Sequence, residues 1–107
     1  MKRLHPLALP QIQRKGRTLR GQIVHMDAFG NLITNIPGSL LVPTRSFRPA
    51  LRYRHHTARM VSSYAAGRPD ELIGVVNSLG FFELAIRNGS AAWSFNARRG
   101  DDLRVLA

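Results

Sequence analysis

The chain has 107 residues, 44% of them hydrophobic, which supports one domain with a modest core and excludes a disordered polyelectrolyte. It has no cysteine, so disulfides and thiolate metal sites are excluded, and no apolar run approaches the roughly 20 residues that span a bilayer. The net charge of +10 is lopsided: residues 1–59 hold 11 Lys and Arg against one acid, Asp27, while residues 60–107 hold five of each sign. Such a bias marks a nucleic-acid or anionic surface, or the solvated face of a domain that docks on an acidic partner.

Residues 1–18 contain Pro6 and Pro10 and no sustained period, and read as an extended lead-in. Leu19–Met26 reads as a strand, with Leu19, Ile23 and Val24 set among polar and basic neighbours. The string Asp27-Ala28-Phe29-Gly30-Asn31 follows, and then a second apolar run, Leu32 to Ile36, closed by Pro37-Gly38. Asp, Gly and Asn all tolerate turn geometry, so D-x-F-G-N reads as a tight turn between two strands. The same residues also offer a carboxylate, a flat apolar face, a close-approach glycine and a carboxamide to one small polar ligand.

Beyond the turn, Pro43 and Pro49 confine any strand in residues 40–50 to a short or edge position. Leu51–Tyr64 reads as one strand with a basic outer face that turns near Thr57-Ala58 into a second, Arg59–Ser63. Gly67-Arg68-Pro69-Asp70 is a turn, and Glu71–Asn77 is a strand weighted by Ile73, Val75 and Val76. Ser78-Leu79-Gly80 reverses the chain into Phe81–Arg87 as its hairpin partner, and Asn88-Gly89 turns again. Ser90 caps a short helical turn through Trp93. Arg99-Gly100-Asp101 leads into a last strand, Asp102–Leu106. Six or so short strands with almost no helix predict an all-β domain, a small antiparallel barrel or sandwich.

No catalytic constellation accompanies these elements. His5, His25, His55 and His56 lack metal-ligand spacing, Ser78 lies outside a G-x-S-x-G elbow, and the adjacent pair Asp101-Asp102 points to opposite strand faces. No cofactor or metal is expected. With no evident signal segment, the default is a cytoplasmic protein without membrane contact.

Three strings carry a resemblance. D-A-F-G-N-L-I-T-N-I (Asp27–Ile36), the run Tyr64–Ala92 with its N-S-L-G and N-G-S-A-A, and G-D-D-L-R-V (Gly100–Val105) occur in one order over residues 19–106. Together they resemble the C-terminal domain of the S-adenosylmethionine hydroxide adenosyltransferases, relatives of the fluorinating and chlorinating enzymes. The resemblance implies a β-barrel over residues 19–107 and a half-site for S-adenosylmethionine or adenosine. By it, Asp27 and Ser78 hold the methionine amino group, and Asn31 reads the adenine edge between Phe29 and Tyr64. Arg87 approaches the base, and backbone groups around Gly89 and Ser90 complete its contacts.

Leu79 stands where the halogenating relatives carry arginine, so a backbone N–H there must take the ligand carboxylate. Ile33 stands where they carry tryptophan, as in the hydroxide-using branch. Arg68-Pro69-Asp70 replaces an expected Gly-Glu pattern. The resemblance also implies a separate N-terminal catalytic domain that supplies the ribose-binding aspartate and prepares the hydroxide, with the ligand held between subunits of a homotrimer. This chain alone is then expected to hydrolyse S-adenosylmethionine little or not at all. Two alternatives are an oligomerisation module and a basic barrel that binds nucleic acid. The second rests on Phe47 and Tyr53 interleaved with Arg45, Arg48, Arg52 and Arg54.

Overall fold

The computed structural model describes residues 12–16, 18–41 and 50–106. Its strands are β1 (Gln13–Lys15), β2 (Thr18–Met26), β3 (Leu32–Pro37), β4 (Ala50–Tyr53), β5 (His56–Met60), β6 (Leu72–Val76), β7 (Phe81–Ile86) and β8 (Asp102–Leu106). The α-helix is one turn, α1 (Ala91–Ser94), and two 3-10 turns cover Gly38–Leu41 and Tyr64–Ala66. Among the described residues no helix is long and apolar enough to cross a membrane. The expectations for residues 1–11, and for Arg45, Phe47 and Arg48, lie outside the described residues.

The sheet closes on itself as β2-β3-β7-β6-β5-β4-β8 and back to β2, a seven-stranded barrel, and β1 pairs with the start of β2. Alternation puts Leu19 and Ile23 of β2, Leu51 and Tyr53 of β4, Phe82, Leu84 and Ile86 of β7, and Leu103 and Val105 of β8 into one core. The period of two breaks in β3, where Thr34, Asn35 and Ile36 are all buried. There the register shifts, and side chains replace ladder bonds. Thr34 Oγ1 donates to the Phe82 carbonyl at 2.7 Å, and Asn35 Oδ1 accepts from the Gln22 amide at 2.8 Å. The Thr-Asn pair of the Leu32–Ile36 run is thus part of the barrel wall.

All pairings are antiparallel except β5–β6, which run parallel with Arg59 opposite Ile73. Parallel neighbours need a crossover rather than a hairpin. Residues 61–71 provide it and cover the outer face of β6 and β7, where Val61 packs on Ile73, Val75 and Ala85. Arg59 clamps the crossover: its Nε and Nη2 donate to the two carboxylate oxygens of Glu71 at 2.8 and 2.9 Å.

The reversal between β4 and β5 falls at Arg54-His55, not at Thr57-Ala58 as the sequence suggested. Arg54 takes φ 57°, a conformation that non-glycine residues adopt only with support. Its guanidinium supplies that support by donating to the Phe95 carbonyl and to Asp101.

Candidate functional site

Three loops at one end of the barrel carry the site. The first is the β2–β3 turn. Asp27 closes it as an Asx turn: Oδ1 accepts from the Phe29 and Asn31 amides, each at 2.9 Å, and Oδ2 accepts from Asn31 Nδ2 at 3.0 Å. A carboxylate only accepts, so this last bond fixes the Asn31 carboxamide with its nitrogen toward Asp27. The turn leaves Phe29 79% exposed.

The second loop is the 3-10 turn at Tyr64. The Tyr64 hydroxyl donates to the Ile86 carbonyl at 3.0 Å and accepts from the Asn88 amide at 3.1 Å. One phenol therefore pins the end of β7 to the following turn. The third loop is that turn, Asn88-Gly89-Ser90, with Asn88 at φ 61°. Ser90 Oγ accepts from the Trp93 amide at 3.1 Å, the N-cap anticipated from sequence. The Ala92 amide donates to the Gly30 carbonyl at 2.8 Å, which ties this third loop to the first.

Phe29, Asn31, Tyr64, Asn88, Gly89 and Ser90 line one cleft of about 540 Å³. Five of the eight residues singled out in the sequence therefore share it. Asp27 abuts the cleft through Asn31. Arg87 and Ser78 do not line it. The Arg87 guanidinium donates to the Gly67 carbonyl at 2.6 Å and braces the crossover loop. Ser78 sits exposed at the tip of the β6–β7 hairpin, where the Leu79 amide is turned inward to Asn77 Oδ1 at 3.0 Å.

One cleft residue, Asn88, reads only as structure in the sequence. Asn88 had passed as a turn residue, because Asn at positive φ accounts for itself. Glu83, a lone acid in the apolar run Phe81–Ile86, does not line the cleft. It lies half-buried on β7, opposite both Ile33 and Val75, and accepts from Asn77 Nδ2 at 3.4 Å. Burial raises its carboxyl above the usual range, the Asn77 bond opposes this, and the negative charge of Asp27 raises it further. Glu83 is thus tied by a hydrogen bond to Asn77 at the β6–β7 hairpin.

Comparison with known proteins matches nearly the whole chain. A family model described as the SAM hydroxide adenosyltransferase C-terminal domain matches residues 21–104. The chain is similar to two proteins named (R)-S-adenosyl-L-methionine hydrolase. That of Salinispora tropica is 31% identical over 94% of this chain and 38% of its own length. That of Salinispora arenicola is 30% identical over the same shares, 94% and 38%. The chain thus spans under two fifths of these curated relatives, at 38%. Among solved structures, an uncharacterized conserved protein from Thermotoga maritima superposes with TM-score 0.75 at 23% identity, over 92% of this chain and 40% of that one. A conserved hypothetical protein from Thermus thermophilus gives 0.67 at 23% identity, over 81% and 34%. These two likenesses speak to the fold. The chain belongs to the family of SAM hydroxide adenosyltransferase C-terminal domains.

Proposed function

We propose that the cleft is the adenosine-facing half of a site for S-adenosylmethionine. The observation that carries this reading is the convergence of Phe29, Asn31, Tyr64, Asn88, Gly89 and Ser90 from three separate loops. Adenine presents an N6–H₂ donor beside a ring-nitrogen acceptor, a pattern that a carboxamide matches with two bonds. With one Nδ2 hydrogen held by Asp27, Asn31 keeps its Oδ1 and second N–H for such a pair. Phe29 and Tyr64 supply ring faces on which a base stacks, an interaction worth roughly 1–3 kcal/mol per base. The Asp27 carboxylate behind Asn31 gives that end of the cleft the negative potential an α-ammonium or a sulfonium seeks.

The reaction is hydrolysis of S-adenosylmethionine to adenosine and methionine. A water oxygen bonds to the ribose 5′ carbon, the carbon–sulfur bond breaks toward methionine, and the water loses a proton. Placing water and leaving sulfur in line supplies much of such a rate. By the family resemblance, that placement falls to an N-terminal domain that closes over the cleft within a homotrimer.

Calorimetric titration of the chain with adenosine and with S-adenosylmethionine, beside an Asn31→Ala variant, tests the reading. Binding of either ligand that weakens at least tenfold in the variant is expected. Binding that is indifferent to Asn31 contradicts it.

A further inference from the structure

We propose that Arg20, Arg104 and Arg52 form a second site, one that takes the phosphate backbone of a nucleic acid without reading its bases. Strand register makes the case. Arg20 of β2 lies opposite Arg104 of β8, and Arg104 lies opposite Arg52 of β4. Residues directly opposite in an antiparallel pair share a sheet face, so three guanidinium groups stand in a row across three neighbouring strands. At about 4.8 Å per strand the row spans on the order of 10 Å.

Like charges directly opposite one another destabilise a sheet. The barrel keeps them with little relief. Arg20 Nη2 pairs with Asp102 Oδ2 at 2.9 Å, while Arg104 and Arg52 have no ion pair with any described residue. The row opens into a cleft of about 430 Å³ that Arg54, His55, Leu103 and Asp102, the partner of Arg20, also line. Arg54 is committed to Asp101 at 3.2 Å, so the uncompensated charge belongs to the row. This cleft shares no residue with the one at Phe29 and Asn31, and the adenosine reading has no use for it.

The chemistry of the row selects the ligand. A guanidinium fork matches phosphate oxygens two at a time, and a line of three forks suits repeated charges better than one. Among the described residues, no exposed aromatic ring lines the row's cleft. Of the two aromatics interleaved with arginines in sequence, Phe47 lies outside the described residues, and Tyr53 is 0% exposed and packs edge-on against Phe95. Affinity must then come from charge neutralisation along a backbone, which carries no sequence information. The excess of 11 basic groups over one acid in residues 1–59 adds a long-range field of one sign, which favours a uniformly charged polymer over the mixed surface of a protein.

The test is fluorescence anisotropy of the whole chain with a labelled single-stranded oligonucleotide of mixed sequence, over about 50–200 mM salt. If the row neutralises three phosphates, its share of the slope of log K against log salt is about −2, from roughly −0.7 per phosphate. The variant Arg20→Gln/Arg52→Gln/Arg104→Gln should lose that share and at least tenfold in affinity at the lowest salt. A variant with the same loss of charge at the exposed positions Arg68, Arg98 and Arg99 should keep it. Because the row repels itself, Arg104→Gln alone should also raise the melting temperature.

Equal weakening in both triple variants would overturn the proposal, since bulk charge then suffices. So would competition by polyglutamate as strong as that by the oligonucleotide, which points to an acidic protein partner. A lowered melting temperature for Arg104→Gln would make the row a structural feature. Adenosine titration of the row variant separates this proposal from the first, because the two clefts fail independently.

Discussion

Replacing Gly30 by alanine probes how the first and third loops are held together. Gly30 has φ +84°, and a Cβ built there would lie 1.9 Å from Ser90 Oγ and 2.7 Å from Ser90 Cβ. Two penalties follow. The backbone conformation alone costs an alanine about 1–2 kcal/mol. Forcing Ser90 aside adds an overpacking cost of about 1–3 kcal/mol and strains the cap bond to Trp93, itself worth roughly 1 kcal/mol. Gly80 supplies the control, because it has φ +88° and nothing within 4 Å of a built Cβ. Gly80→Ala thus carries the first penalty without the second. In urea melts, Gly30→Ala should lose at least about 1 kcal/mol more than Gly80→Ala, and correspondingly about 4–8 °C more by thermal melting. Adenosine binding should weaken in Gly30→Ala and hold in Gly80→Ala. Equal losses of stability for the two variants would refute the claim that Gly30 and Ser90 lock the two loops together.

Three further outcomes follow from the barrel. The Tyr53 hydroxyl donates to Asp101 Oδ2 at 2.7 Å; burial foremost, then that bond and the carboxylate's charge, hold the phenol above its usual range. Tyr53→Phe should cost about 1–2 kcal/mol in denaturant, because Asp101 keeps its bonds from Arg54 and the Arg98 amide. Glu71 is held down to about 2, first by the Arg59 side chain and then by the Arg68 amide. Its contribution is complete above the ordinary glutamate range and is lost as pH falls toward 2, so Glu71→Gln should flatten the acid limb of an unfolding curve between those limits. Glu83 has the opposite sign. Its raised carboxyl binds more protons folded than unfolded, so its contribution fades as pH rises through the folded value. Glu83→Gln should therefore gain stability over wild type at pH 7 relative to pH 4, and an unchanged difference would contradict the burial argument.

The alternation of Leu19 with Ile23, the Ser90 cap and the bounds of Asp102–Leu106 were legible because each rests on local chemistry. The β5–β6 pairing was not. Its direction is set by a crossover whose clamp, Arg59 to Glu71, joins residues that no short-range pattern links. The turn at Arg54 was hidden for a similar reason, since its positive φ depends on Phe95 and Asp101, far along the chain. In the cleft, Phe29, Asn31, Tyr64, Gly89 and Ser90 came from a family pattern. Asn88 needed coordinates, because a turn explains its residue type without a ligand. The arginine row was half visible. Composition gave the excess charge, but only the register of β2, β8 and β4 aligns Arg20, Arg104 and Arg52.

The central claim is that the three loops form one adenosine cleft, and amide chemical-shift mapping tests it most directly. Titrating isotope-labelled chain with adenosine should move the Asn31 side-chain amide and the backbone amides of Phe29, Asn88, Gly89 and Ser90 together, with one saturation curve. Shifts confined to Arg20, Arg52 and Arg104, or spread without saturation over the basic surface, would contradict it.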